Sequence, residues 1–130
     1  DPETQLLMPL IDGDLYKVLY SCTEGDLQNN RLNYLYGFTT GIVLAADGYP
    51  VSPKLGSKIE GLDKHYNSDT QIFHYGTRRR IDGVFETGSG RVLTVVSYDN
   101  NSLEGARNKA YASAEKIHFS GMQYRRDIAS

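Results

Sequence analysis

Two short segments carry residue types from which an anion site could be built. His74-Tyr75-Gly76-Thr77 and Gly90-Arg91 each place a polar or cationic side chain beside glycine, at the ends of β-rich stretches. A glycine-flanked arginine can offer its planar guanidinium fork to a phosphate while backbone N–H groups approach the same anion. On the residues alone, an arginine that opens a strand after glycine is usually a solvated edge residue. Arg78-Arg79-Arg80 adjoins the first segment. Successive strand side chains point to opposite faces, so these three cannot all meet one ligand, and a solvated hairpin tip is expected. Asp1-Pro2-Glu3-Thr4-Gln5 reads as an exposed helix start, with Glu3 favoured by the helix dipole. In the loop Gly48-Tyr49-Pro50 with Lys54, Tyr49 leans to packing and Lys54 to solvent.

Other chemistries find no residues to support them. There is no phosphate-cradling P-loop, no glycine-rich dinucleotide fingerprint and no metal-ligand spacing of His or Cys. His65, His74 and His118 are scattered and read as hydrogen-bonded structural residues. The single cysteine, Cys22, cannot form an internal disulfide; its setting in LYKVLYSC predicts a small core residue and a reducing, cytoplasmic compartment. With 14 Lys and Arg against 16 Asp and Glu, the formal charge is −2 and a nucleic-acid partner is not expected. No apolar run approaches the ~18–20 residues of a membrane span, so no membrane partner is expected either. The opening DPETQ is not read as a signal peptide; without Met, and with an apolar helix beginning at once, the 130 residues read as a piece of a longer polypeptide.

The elements that must hold these residues follow from periodicity. Residues 4–10 predict a short helical turn interrupted or ended by Pro9. A second helix is predicted over 14–24, capped by Asp12 or Asp14 and stopped by Gly25, with Leu15, Val18, Leu19 and Cys22 on one face. Asn29-Asn30 marks a turn. Strands are predicted within 32–46, over 71–75, 84–87 and 91–98, with a short one possible at 58–62 and Asp82-Gly83 as a hairpin turn. The last helix follows Asp99-Asn100-Asn101-Ser102 and carries an Ala-rich stripe of Leu103, Ala106, Ala110, Ala114 and Ile117. The order predicts an α+β domain with a mostly antiparallel sheet and a C-terminal helix.

The closing stretch, from 89 to 129, runs strand, turn, helix and arginine-rich tail. Ile117-His118-Phe119-Ser120-Gly121 and the closing Tyr124-Arg125-Arg126-Asp127-Ile128 resemble the C-terminal end of the glycinamide ribonucleotide synthetase family, the phosphoribosylamine–glycine ligases of the ATP-grasp superfamily. The resemblance covers essentially the whole chain and is weakest over 29–34 and 64–71. Gly76-Thr77 and Gly90-Arg91-Val92-Leu93 match the family's His-Ala-Gly-Thr and Gly-Gly-Arg-Val-Leu, with Tyr75 and Ser89 as departures. Gly48-Tyr49-Pro50 is similar to its Gly-Gly-Tyr-Pro-Gly loop, with Asp47 and Val51 in place of the flanking glycines.

The resemblance implies a barrel-sandwich-hybrid-like ATP-grasp C-terminal domain over 29–130, preceded over 1–28 by the helical end of the ATP-grasp domain. It implies a parent enzyme that joins phosphoribosylamine and glycine with ATP, giving glycinamide ribonucleotide, ADP and phosphate, through an acyl phosphate of glycine. ATP and Mg²⁺ (or Mn²⁺) belong to that parent. The metal ligands are expected in a Glu-x-Asn-x-Arg-Phe-Gly segment upstream of Asp1, and no catalytic residue or cofactor is expected in these 130. Asp1, Glu3 and Thr4 would line the substrate cleft, and Thr77, Gly90 and Arg91 would surround the ribonucleotide 5′-phosphate or ribose. The missing lobes of the same chain are the expected protein partner, held in part by the tail arginines. The alternatives are a non-catalytic interaction module, or the matching domain of another ATP-grasp ligase, which the Tyr-Arg-Arg-Asp ending argues against.

Overall fold

A computed structural model describes residues 2–27 and 31–130. Asp1 and the Asn29-Asn30 turn lie outside the described residues. The first element is a short helix, α1 (Glu3–Leu7), running into a 3-10 turn at Met8–Leu10. Pro9 sits in the first turn of that 3-10 segment, where its missing N–H has no partner to lose. β1 (Ile11–Asp12) pairs antiparallel with β2 (Asn33–Tyr34). Between them runs α2 (Leu15–Glu24), whose Asp14 carboxylate accepts from the Lys17 N–H at 3.1 Å and whose end is turned by Gly25 at φ 72°.

The core is built on a three-stranded antiparallel sheet ordered β3-β7-β4, from β3 (Phe38–Ala45), β4 (Thr70–His74) and β7 (Arg91–Asp99). β7 is the central strand. Seven of its nine residues are buried, because it pairs on both edges and is covered on both faces. Its sequence RVLTVVSYD is β-branched and apolar enough to accept that double burial. Between β4 and β7 a hairpin of β5 (Thr77–Arg79) and β6 (Phe85–Thr87) stands apart from the main sheet. Its loop carries Gly83 at φ 85° and closes with the Arg80 N–H donating to the Val84 carbonyl at 2.8 Å. Arg78, Arg79 and Arg80 are exposed on it, as expected of a solvated hairpin.

One face of the sheet receives the last helix, α3 (Leu103–Ala114). Ser102 caps it, its hydroxyl accepting from the Gly105 N–H at 2.9 Å. Ala106, Ala110 and Ala114 are fully buried, so the helix backbone lies close on β3 and β7. Ile42, Leu44, Leu93, Val95, Ile117 and Phe119 complete this core. The stripe departs from expectation at Leu103, which is exposed in the first turn, while Ser113 is buried in the last. The other face is met by α1: the Thr39 hydroxyl donates to the Leu6 carbonyl at 2.9 Å, and the Leu6 side chain covers Gly41.

The expected apolar face of α2 is only half realised. Leu15 and Val18 are half-buried, but Leu19 is exposed, and so is Cys22, which is therefore not a core residue. The reason is local: α2 has no extensive contact with the sheet or α3 among the described residues. The expected strand at 58–62 is reduced to two isolated bridges, Lys58 with Glu86 and Glu60 with His118.

Asp99 closes β7 and ties it to α3. One carboxylate oxygen accepts the N–H groups of Asn101 (2.8 Å) and Ser102 (3.0 Å), and the other pairs with the Lys109 ammonium at 3.0 Å. Lys109 also meets Asp69 at 2.8 Å. The two backbone N–H groups first, and Lys109 after them, hold the Asp99 carboxyl below its ordinary range. A carboxyl with a depressed folded pKa adds stability that is present above its unfolded value of ~3.9 and lost as pH falls through the folded value. Asp99→Asn keeps an acceptor for the two N–H groups, removes the charge and turns an amide N–H₂ toward Lys109 in place of the accepting oxygen. We expect it to lower the melting temperature at pH 7, with the gap to the native chain closing below about pH 4, as read by calorimetric scans across pH.

A candidate anion site at the head of β7

Arg91 is the first residue of β7, half-buried, and its backbone is fixed by an irregularity in the sheet. Leu44 faces Leu93, but the next residue, Ala45, faces Arg91, so Val92 is an extra residue on β7. Bulges of this kind bend a strand and re-aim its side chains. The bulge leaves the Val92 carbonyl to accept two N–H groups from the end of β4, Tyr75 at 3.1 Å and Gly76 at 3.0 Å. The Gly76 carbonyl in turn accepts from Gly88 (2.8 Å) and Ser89 (3.0 Å), and the Ser89 hydroxyl donates to the Arg91 carbonyl at 2.7 Å. Ser89, the departure noted in the sequence, is thus a tether for Arg91. Gly76 is packed so closely by Ser89 and the Arg91 carbonyl that no side chain fits there.

Gly90 is required by packing. A Cβ there would run into the Tyr49 ring, which lies directly over it. Tyr49 is held by a loop that closes on itself. Its N–H donates to Ala46 at 3.1 Å, Asp47 pairs with Lys54 at 2.6 Å, and the Tyr49-Pro50 bond is cis. Lys54 is exposed, as expected, but its charge is engaged by Asp47. The Arg91 guanidinium stacks over Tyr75, 4.8 Å from the ring centroid.

Arg91 opens onto a cavity of ≈ 390 Å³, shared with Val43, Ala45, Tyr49, Gln123, Tyr124 and Arg125. Three of these come from the C-terminal tail. Gln123 exchanges backbone hydrogen bonds with Ala45 (2.8 and 2.9 Å), and its side-chain amide donates to the carbonyls of Ala46 (2.9 Å) and Tyr49 (3.3 Å). The Tyr111 hydroxyl of α3 donates to the Arg125 carbonyl at 2.9 Å and accepts from the Ile128 N–H at 3.0 Å. The described contacts of the tail therefore run to β3 and α3 of the same domain. Arg125 pairs with Asp127 through two hydrogen bonds of 2.9 and 2.6 Å, and Arg126 stacks on Tyr124 at 5.3 Å.

The remaining sequence candidates fall at different distances from this cavity. Glu3 and Arg91 come within electrostatic reach. Glu3 is exposed on α1, and Arg91 exerts only a weak electrostatic pull on its carboxyl. Thr4 is exposed on α1, its carbonyl accepting the Met8 N–H. Thr77 opens β5, and its hydroxyl lies 2.8 Å from His74 Nδ1, outside the cavity wall. Burial lowers the His74 pKa, so at neutral pH its ring is an uncharged partner packed on Phe85. Asp1 lies outside the described residues. Sequence reasoning missed the cavity positions of Gln123 and Arg125, while Tyr75, singled out there beside Gly76, is the stacking partner of Arg91. Arg91 and the Tyr49-Pro50 loop were the visible parts of the cavity.

Fold and site together define an α+β domain, an antiparallel sheet under an Ala-faced helix, with a cationic, aromatic-walled pocket at the head of its central strand. Residues 39–130 match the family described as Phosphoribosylglycinamide synthetase, C domain, and the chain belongs to that family. It is 42% identical over 129 residues to the phosphoribosylamine–glycine ligase of Neisseria meningitidis serogroup A, covering 99% of this chain and 30% of that protein. It is 40% identical over 129 residues to the bifunctional purine biosynthetic protein purD of Dictyostelium discoideum, covering 98% of this chain and 16% of that one. The crystal structure of phosphoribosylamine–glycine ligase from Thermotoga maritima superposes with a TM-score of 0.74 at 34% identity, over 99% of this chain and 31% of that one. The chain thus spans about 30% of the length of the single-function relatives it matches.

The Tyr49–Gly90 contact can be isolated by a double-mutant cycle. Gly90→Ala should cost about 1–3 kcal/mol in urea unfolding, the usual penalty of overpacking. In a Tyr49→Ala background the same change should cost less than ~0.5 kcal/mol, because the obstructing ring is gone.

Proposed function

We propose that this chain is the C-terminal portion of an ATP-dependent phosphoribosylamine–glycine ligase of purine biosynthesis, and that it forms one wall of the phosphoribosylamine site. The observation that carries the reading is the cavity at Arg91: a guanidinium stacked on one tyrosine, beside a second tyrosine, with a second guanidinium on its rim. Its volume of ≈ 390 Å³ falls in the range of small-molecule sites and suits one sugar phosphate. Arg91 binds the 5′-phosphate or ribose, Gly90 lets Tyr49 close the wall beside it, and Thr77 orients His74 behind the same turn. Glu3 and Thr4, exposed on α1, contribute to the cleft floor, a role that the family resemblance extends to Asp1.

In this reading the domain positions the amine of phosphoribosylamine for attack on the activated glycine carboxyl, and it supplies orientation and charge neutralisation. Among the described residues no cluster of His, Cys, Asp or Glu fits Mg²⁺ or Mn²⁺. On the family resemblance we assign the metal and ATP to the rest of the parent. We place residues 1–28 with the ATP-grasp lobe and 29–130 with the C-terminal domain. The family match starting at 39 and the exposed Tyr16, Leu19 and Tyr20 of α2 support that division, although α1 packs on β3. A cytoplasmic setting belongs to the same reading. No described helix is long and apolar enough to cross a membrane.

The exposed apolar residues of α2 and β2 also suit an interaction module. A Glu-x-Asn-x-Arg-Phe-Gly segment directly upstream would favour the ligase. In the full-length parent, Arg91→Ala should raise the KM for phosphoribosylamine roughly tenfold or more, the scale of a lost charge-assisted hydrogen bond, and leave the KM values of ATP and glycine unchanged. An unchanged KM for phosphoribosylamine removes Arg91 from the site. The 130-residue chain alone should form no ADP with all three substrates present.

A further inference from the structure

The cavity at Arg91 holds a second guanidinium, and nothing in the first reading gives it a task. We propose that Arg125, carried on the C-terminal tail, is a second phosphate-binding side chain of the same pocket. The proposal rests on the reading of that pocket as a sugar-phosphate site.

The geometry starts from three backbone positions side by side. Arg91 of β7 faces Ala45 of β3, and Ala45 is bridged on its other edge by Gln123 of the tail. Adjacent strands lie about 4.8 Å apart, so the tail runs roughly 10 Å from the head of β7. Two arginine side chains can close that gap from opposite sides. Both in fact line the one cavity. The tail is not free to drift from this position. Gln123 is held at four points, by two backbone bonds to Ala45 and two side-chain bonds to Ala46 and Tyr49. The Arg125 carbonyl is held by Tyr111.

The Arg125 fork is aimed as well as anchored. Its Nε and one Nη2 hydrogen bind the two oxygens of Asp127. A guanidinium has five N–H donors, so three remain for a ligand. The Arg125–Asp127 pair is exposed, with side-chain accessibilities of 72% and 64%. Such a pair contributes little to the fold. It does restrict the rotamers of a long side chain that faces a pocket. Arg126 is placed differently: it stacks on Tyr124 and does not line the cavity. The two neighbouring arginines of the tail thus have separate settings, one toward the pocket and one against an aromatic ring. A phosphate dianion between Arg91 and Arg125 would meet cationic forks from β7 and from the tail, with the Tyr49 ring beside it.

The test is calorimetric titration of ribose 5-phosphate into the full-length parent and its Arg125→Ala, Arg91→Ala and Arg78→Ala variants, with ATP and glycine binding measured alongside. Arg125→Ala should weaken ribose 5-phosphate about tenfold or more and leave ATP and glycine unchanged, while Arg78→Ala, on the outlying hairpin, binds as the parent does. If Arg91→Ala weakens ribose 5-phosphate and Arg125→Ala does not, the pocket stands and the role of Arg125 is overturned. If neither variant weakens it, both readings fall. Equal losses for all three ligands in Arg125→Ala would show a structural effect of the tail and would also overturn the proposal.

Discussion

Double burial of β7 is the constraint on which this domain depends. The strand is hydrogen-bonded on both edges and covered on both faces, by α3 on one side and α1 on the other. Each buried Val or Leu on it contributes about 1.5–3 kcal/mol of apolar burial. The same burial dictates what its neighbours must be. α3 presents alanines because it lies against the strand at close range, and β3 carries Gly41 where Leu6 crosses. Asp99 and Lys109 fasten the far end of β7 to α3. The near end finishes in a bulge at Val92, and there the regular ladder gives way to the glycine turns that present Arg91. A strand so fully committed to the core gives a rigid base to whatever side chain stands at its open end.

That rigidity explains why the pocket is assembled from segments far apart in sequence. The Tyr49 loop, the turn at Gly76, the head of β7 and the tail at Gln123–Arg125 each hydrogen-bond to one of the others or to the strand between them. Removing the Gly90–Tyr49 contact or the Gln123 bridge would loosen a wall of the pocket while leaving the packing of α3 on β7 in place. The relatives fit this division. A segment like this one makes up 30% of the Neisseria ligase and 16% of the longer Dictyostelium protein, in keeping with a domain that carries its own core from one chain length to another.

Much of the fold was legible in the sequence because its signals are local. Asp14 and Gly25 bound α2, Ser102 caps α3, and the β-branched run after Gly90 marks the central strand. The failures share a cause. Cys22 and Leu19 sit on an amphipathic pattern, but a pattern does not say whether a partner surface is present, and here the face of α2 is left largely open. Leu103 falls on the helical stripe, yet it stands in the first turn, beyond the sheet that α3 covers. Arg91 was visible as a glycine-flanked cation. Gln123 and Arg125 were not, because their place depends on a bridge to Ala45 across 78 positions, which no local pattern encodes. The tail looked like a tie to another lobe. Its described bonds are to β3 and α3, which makes it part of the pocket wall and leaves the expected tie to the missing lobes untouched.

The central claim is that the head of β7 is a sugar-phosphate pocket. The most direct measurement is a crystal structure of the full-length parent with glycinamide ribonucleotide bound. The account predicts the 5′-phosphate inside the cavity of Tyr49, Arg91 and Gln123, with phosphate oxygens about 2.7–3.0 Å from the Arg91 guanidinium. A ribonucleotide phosphate bound elsewhere, with that cavity holding only solvent, would contradict it.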